Sequence, residues 1–454
     1  MAKDFDITPH ETAAVQTEYR RIQTEIPAPQ TVEVLETLRR CEPRAMGGQP
    51  PILWDRAEGF QVWDTAGNCW IDFSCGVLIT NAGHGRKEIS EALIRTIEKP
   101  LLTNYCFPSE IRAALTAKLV ELAPDPCKKV FLLSTGSEAV ECTVKLCRER
   151  SRRTDPQRKL IVSFERAFHG RTLASQMIGG WPALKEWIGN LDPDMIQVPF
   201  PDGFRTPDTR FESFTETLEA AGVGPEGICG VVIESYQGNG ASFAPPEYMQ
   251  QLRRWCDEND ILLVMDEIQS AFGRTGTFWG FEHYGVVPDL YTVGKGISSS
   301  LPISAVIGRA DVMDLFPPGS MTSTHTGNPL CCAAALANIE LLLSEDLIGN
   351  SARLGAIMHE ELGKLKTDFP DRIGAVHGKG LVAGIHLVKG PDQEPDGELA
   401  WQIVNACMDA GVLMFSPVGL GSATVKINPP LCITKPALIE GLGVFRDAFA
   451  DAMF

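Results

Sequence analysis

Ile261-Leu262-Leu263-Val264-Met265-Asp266-Glu267 is followed, after a Gly-rich aromatic segment, by Pro288-Asp289-Leu290-Tyr291-Thr292-Val293-Gly294-Lys295-Gly296. Each half is a short apolar run with the length and branching of a buried strand, and each delivers a charged side chain at its end. Working outward, Val130 to Leu133, Leu160 to Phe164 and Gly230 to Ile233 repeat the pattern, with helical stretches such as Tyr248 to Glu258 between them. Strand alternating with helix predicts an α/β layer with a mostly parallel sheet, where ligands collect at the C-terminal strand ends.

The flanks read differently. Thr12 to Ile26 is predicted as a helix ended by Pro27 and Pro29. Gly59 to Asp64 and Asn68 to Phe73 alternate in period two around Thr65-Ala66-Gly67, a turn signal. Beyond about residue 336, helices (Ser351 to Leu365, Leu399 to Ala410) mix with strands (Leu381 to His386, Thr424 to Asn428) in a smaller α+β lobe. The expected organisation is an N-terminal segment over 1–75 that joins the small lobe, a large domain over 76–335 and a small domain over 336–454.

With 454 residues, 44% of them hydrophobic, the chain can bury a core of two or three lobes. A net charge of −17 argues against nucleic acid or an anionic membrane as partner. Thirteen cysteines, scattered singly apart from Cys331-Cys332 and without CxxC spacing, suggest buried thiols in a reducing compartment, and no metal site is expected. Met1 to Asp6 carry acids and no apolar signal-peptide core. The longest apolar stretch, Leu330 to Leu343, is broken by Asn338 and Glu340 and does not span a bilayer. The expected location is the cytoplasm.

Lys295 between two glycines is poorly shielded, so its amine can meet a carbonyl compound; Asp266 at a strand end can pair with a cation. Those are the two parts that pyridoxal phosphate needs most, an imine-forming lysine and a carboxylate that keeps the pyridine nitrogen protonated. Singly, each residue is as well read as a loop lysine or a strand-end acid. Further fragments supply the rest of such a site. Ser134-Thr135-Gly136-Ser137-Glu138 opens a helix directly after a strand and offers backbone N–H groups to a phosphate, although a plain capping box has the same pattern. Phe168 offers a stacking face, with His169 beside it, and Arg171 a planar fork for a carboxylate. Gln269, three residues after Asp266, can reach a phenolic oxygen, and Ser323-Thr324 is a hydroxyl pair on a turn.

This set resembles the class III (ω-amino acid) aminotransferases of the fold-type I pyridoxal phosphate enzymes, above all the branch acting on 4-aminobutyrate. The likeness runs from about Gly59 to Leu431. It is densest in Ser134 to Ala139, Phe168 to Thr172, Asp266 to Ser270, Gly273-Arg274-Thr275-Gly276, Pro288 to Lys295 and Thr326-Gly327-Asn328-Pro329. The resemblance implies Lys295 as the cofactor's imine partner, Asp266 on the pyridine nitrogen, Gly136 and Ser137 on the phosphate, Phe168 and His169 at the ring and Gln269 on the phenolic oxygen. Glu234 matches an active-site acid, and Arg171 the arginine that takes the distal carboxylate of 4-aminobutyrate. Thr324 would reach the phosphate of a neighbouring subunit, which implies a homodimer with shared sites. Val77 is grouped on the substrate side.

Two positions depart from the family pattern. Lys426 in Thr424-Val425-Lys426-Ile427-Asn428-Pro429-Pro430 stands where relatives carry an arginine for the α-carboxylate, and Asn239 stands at the glutamate that masks it. Lysine cannot make arginine's planar two-point contact, which weakens 2-oxoglutarate as the acceptor. Ser235 replaces the proline common after Glu234. The function expected is ping-pong transfer of an amino group from an ω-amino acid or amine to a keto acid. An amino-acid racemase or epimerase on the same scaffold is the alternative.

Overall fold

The computed structural model describes residues 3–453; Met1 and Ala2, which open the stretch read as lacking a signal sequence, lie outside them. The chain divides into two units, one built from the residues up to Arg86 and from Gly349 onward, the other spanning Lys87–Ile348.

The first unit begins with β1 (Val15–Gln16) and β2 (Arg21–Ile22), an antiparallel pair, where the sequence reading predicted a helix over Thr12 to Ile26. The physical reason is local. Thr17 Oγ1 accepts the N–H of Arg20 at 2.9 Å and Thr17 N–H reaches Arg20 O at 2.9 Å, so the hydroxyl closes a turn in mid-segment. Ile22 and Ile26, both buried, then follow an every-second-residue rhythm. β3 (Trp54–Glu58), β4 (Gln61–Asp64) and β5 (Cys69–Asp72) form the antiparallel ladder that the period-two pattern predicts.

The Lys87–Ile348 unit holds a seven-stranded sheet. Its strands are β6 (Cys127–Leu133), β7 (Leu160–Phe164), β8 (Met195–Val198), β9 (Ile228–Glu234), β10 (Leu262–Asp266), β11 (Leu290–Val293) and β12 (Ser304–Arg309). They lie in the order β6-β12-β11-β10-β9-β7-β8, and only β12 runs against its neighbours. Every residue of β9, β10 and β11 is buried. That explains their near-continuous apolar reading, each such side chain contributing about 1.5–3 kcal/mol. The helix Gly136–Thr154 crosses β9, β11 and β12 and drives Val140, Val144 and Cys147 into a cluster with Val232, Val264, Leu290 and Val306. Cys147 seats against Gly230, where a Cβ would stand 2.8 Å from its sulfur. The sheet is the mostly parallel α/β layer that the alternation of strands and helices predicts.

The C-terminal part of the first unit contributes β13 (Ile373–Lys379), β14 (Val382–Lys389), β15 (Glu394–Pro395), β16 (Val412–Leu413) and β17 (Thr424–Ile427). β14 pairs with β13, β15 and β17, and β16 joins β5, which ties the two ends of the chain into one unit. Among the described residues no helix is long and apolar enough to cross a membrane.

Candidate active site

Register within the large sheet decides where the chemistry sits. Asp266 pairs with Glu234 on one side and Thr292 on the other, so the last residues of β9, β10 and β11 end at one level. Glu234, Asp266 and, two residues past β11, Lys295 emerge there. A cavity of about 310 Å³ opens at this edge, lined by Thr135, Gly136, Ser137, Phe168, His169, Gly170, Arg171, Glu234, Tyr236, Asp266, Ile268, Gln269 and Lys295.

Asp266 is held from three directions: His169 Nδ1 lies 2.8 Å from Oδ2, while Ile268 N–H and the Thr292 hydroxyl donate to Oδ1 at 3.1 and 3.2 Å. Burial works against charge on His169, but the bond to Asp266 and the fields of Asp266 and Glu234 outweigh it and raise its pKa. Glu234 accepts Phe168 N–H at 3.0 Å and Gly238 N–H at 2.7 Å, yet burial pushes its carboxyl up to about 7. Lys295 follows an extended Gly294 and has φ +43. Burial lowers its pKa against the pull of Asp266 and Glu234. Its turn is pinned by Asn338, whose amide donates to Gly296 O and Ile297 O, both at 2.9 Å.

At the other wall the helix Gly136–Thr154 presents its N-terminus. Thr135 Oγ1 accepts Glu138 N–H at 3.3 Å, and the Glu138 carboxylate accepts the N–H groups of Ser134 and Thr135 at 2.9 Å each. The capping box thus uses neither Gly136 N–H nor Ser137 N–H, and both remain as donors at the positive end of a 19-residue helix. Gly136 lies against Ile268, where a Cβ would come within 2.9 Å of its side chain. Ser137 Oγ accepts Arg171 N–H at 3.1 Å. The Arg171 guanidinium is 5.5 Å from the Phe168 ring centre and makes no ion pair among the described residues.

A phosphate-bearing aromatic aldehyde fits these residues. Free helix N–H donors stand at one end, a buried acid braced by an imidazole at another, an aromatic face between, and an amine of depressed pKa opens into the same space.

Nine of the thirteen sequence-predicted residues therefore line one cavity: Lys295, Asp266, Gly136, Ser137, Phe168, His169, Glu234, Gln269 and Arg171. Thr324 is exposed on its loop and Asn239 lies in the turn closed by Gln237 and Ser242; neither lines the cavity. Lys426, buried on β17 with Nζ 6.0 Å from the Phe415 ring, and Val77 belong to the other unit. Tyr236, whose hydroxyl donates to Gln269 O at 3.1 Å, was missed, as was Asn338. Nothing in their local sequence marks them, because their role depends on contacts more than 30 residues away.

A family model described as "Aminotransferase class-III" matches residues 44–449. A 4-aminobutyrate aminotransferase of Mycobacterium leprae is 32% identical over 95% of this chain and 98% of its own. A leucine/methionine racemase of Thermococcus litoralis is also 32% identical, over 92% of this chain and 95% of its own. Among solved structures, an amine transaminase from an uncultivated Pseudomonas species in a PLP-bound form superimposes with a TM-score of 0.81. It is 26% identical and covers 88% of this chain and 95% of that one.

Proposed function

The chain belongs to the class-III aminotransferase family, and on that footing we propose that it moves the amino group of an ω-amino acid, 4-aminobutyrate or a close analogue, to a keto acid. It is a PLP-dependent aminotransferase, and its cofactor is pyridoxal 5′-phosphate. When bound, that group supplies an aldehyde that takes up the amino nitrogen and a protonated ring that withdraws electrons from the neighbouring carbon. In our reading Gly136 and Ser137 hold its phosphate, Asp266, braced by His169, its ring nitrogen, Phe168 one face of its ring and Gln269 its phenolic oxygen. Lys295 Nζ, whose pKa burial lowers, would hold the carbonyl end of that group and would take the proton from the carbon bearing the donor nitrogen. Glu234 fixes the Phe168 backbone and the Gly238 turn around the cavity.

The observation carrying the donor class is Arg171, a guanidinium without an ion pair among the described residues, on the wall of the cavity that contains Lys295. A donor with a carboxylate several carbons from its amine satisfies both ends. For the acceptor, Lys426 and Asn239 in place of the family's arginine and glutamate favour a keto acid with less need of a two-point α-carboxylate contact, pyruvate before 2-oxoglutarate. We further propose a homodimer in which Thr324 serves the partner's phosphate, with Val77 on the substrate side. A cytoplasmic location agrees with thirteen cysteines, none of them in a disulfide.

The racemase relative keeps a second reading open, since racemisation needs proton exchange at one carbon and no acceptor. A donor panel decides: 4-aminobutyrate, β-alanine, ornithine, taurine, phenylethylamine and branched α-amino acids, each against pyruvate and 2-oxoglutarate, with a chirality assay lacking acceptor. Turnover of ω-amino acids that requires a keto acid is expected. Loss of optical activity without acceptor, and no transfer from any ω-amino donor, would overturn the proposal.

A further inference from the structure

Phe168, His169 and Gly170, which line the cavity, also line a second hollow of about 10 Å³ together with Ala167, Gln176, Gly179, Trp181 and Leu184. It is the size of one water molecule. Two buried polar atoms belong to its lining residues and have no hydrogen-bond partner among the described residues: His169 Nε2 and Trp181 Nε1. The His169 side chain is fully buried, and its other nitrogen is committed to Asp266. Gln176 Oε1, a side-chain acceptor on a residue of the same lining, takes its hydrogen bond from Trp187 Nε1 at 3.1 Å.

The backbone holds Trp181 in place. Gly180 N–H donates to Ala167 O at 2.9 Å and Arg166 N–H to Gly180 O at 2.8 Å, a two-bond clasp between the two loops. Gly180 lies so close that a Cβ would stand 2.2 Å from Phe164 O and from Arg166 N. An orphan buried polar group costs about 1–3 kcal/mol, so two such atoms on residues that line one water-sized hollow call for a partner there. Indole N–H only donates; Nε2 accepts when imidazole is neutral and donates when it is charged. Water is the one small species that serves both states.

We propose that this hollow binds a single ordered water bridging Trp181 Nε1 and His169 Nε2, which makes Trp181 a positioning residue for the Asp266–His169 pair. The bridge extends the buried chain to four members, Asp266, His169, water and Trp181. It holds the imidazole plane so that Nδ1 stays on the carboxylate. The consequence for catalysis rests on the reading above, in which Asp266 serves the cofactor's ring nitrogen; the water itself does not.

The test begins with a crystal structure of the holoenzyme at better than about 1.5 Å. One spherical peak within about 2.7–3.2 Å of both nitrogens is expected. Absence of such a peak overturns the proposal, whether or not any variant folds. The second arm is Trp181→Phe, which keeps an aromatic ring and removes the donor. In protein labelled with ¹⁵N-histidine, the His169 Nε2 resonance should shift and the peak should weaken or vanish. With saturating cofactor, kcat should fall about three- to tenfold, the worth of one hydrogen bond, with KM unchanged. An unmoved ¹⁵N resonance would refute the bridge. A water seen in the crystal and a shifted resonance with unchanged kcat would leave the site in place and count instead against Asp266 as the ring's partner.

Discussion

His169 Nδ1 stands 2.8 Å from Asp266 Oδ2, with both side chains buried at the end of the central strand. The imidazole is what keeps one carboxylate oxygen oriented, since Thr292 and the Ile268 backbone serve only the other. A hydrogen bond to a charged group is worth about 1.5–3 kcal/mol. His169→Ala is therefore expected to lower kcat roughly ten- to hundredfold at saturating cofactor. Stopped-flow measurement of the donor half-reaction checks this, and a wild-type rate would remove His169 from the site.

Arg171 is expected to sort donors by charge. Arg171→Ala should raise KM for 4-aminobutyrate and β-alanine roughly ten- to hundredfold, the loss of one charge-assisted contact. Phenylethylamine, which has no carboxylate, should be transferred with an unchanged KM. Equal effects on both donor types would show that the guanidinium serves the loop and not the substrate.

Gly170 carries the close approach that brings Arg171 N–H to Ser137. Its φ is +135°, and a Cβ there would meet Ser137 Oγ at 2.2 Å. Alanine must push the Ser137 hydroxyl aside as well as accept a strained backbone. Gly170→Ala is expected to weaken binding of pyridoxal phosphate at least roughly tenfold, the cost of one displaced phosphate contact. Titration of the apoenzyme with cofactor, followed by visible absorbance, measures it.

The cavity was legible because five of its fragments sit directly after strands, and a strand's end is visible where an apolar run stops at Asp266 or Glu234. What escaped depends on distance. Asn338 braces the Lys295 turn from a helix more than 40 residues on, and nothing near it in the chain distinguishes it from any polar residue in an Ala-rich helix. Thr12 to Ile26 failed for the opposite reason: helix-compatible composition was overridden by one hydroxyl, that of Thr17, closing a turn. The replacement of proline by Ser235 also gains an account. Its hydroxyl donates to Glu267, a bond no proline could make.

Glu267 gives a prediction about pH. It is fully buried and accepts Ser235 Oγ–H, Gly280 N–H at 2.6 Å and Phe281 N–H at 2.9 Å, yet burial pushes its carboxyl up to about 7. An unfolded glutamate titrates near about 4.3, so between these values the native state binds more protons than the unfolded one. Stability must then fall as pH rises through that window and level off above it, by about 4 kcal/mol from this group. Glu234 acts with the same sign and to about the same pKa. Urea midpoints of the holoenzyme at pH 5 and pH 8 should differ less in Glu267→Gln than in wild type, because Glu234 still titrates but Glu267 does not. An identical difference in the two proteins would refute the assignment.

Val77 is the last of the predicted substrate residues, and its backbone is the most strained of them. Cys75, Gly76, Val77 and Leu78 all have φ between 53° and 62°, one complete left-handed turn with only one glycine. A non-glycine residue there costs about 1–2 kcal/mol, more for a β-branched one. The turn is held by Asp72, whose Oδ1 accepts Ser74 N–H at 2.7 Å, Ser74 Oγ–H at 2.6 Å and Cys75 N–H at 3.1 Å. The Asp72 Oδ2 atom faces His84 Nε2 at 2.7 Å. Val77 is 42% exposed, so its side chain does not offset the strain by packing within its own unit. Val77→Gly should raise the urea midpoint at constant m-value, by about 1 kcal/mol, since relieved strain outweighs the added freedom of the unfolded chain. If the strain is retained to present an apolar side chain to substrate, the same variant should also weaken donor binding, read as a higher KM at unchanged cofactor affinity. Greater stability with unaltered KM would leave Val77 outside the substrate site.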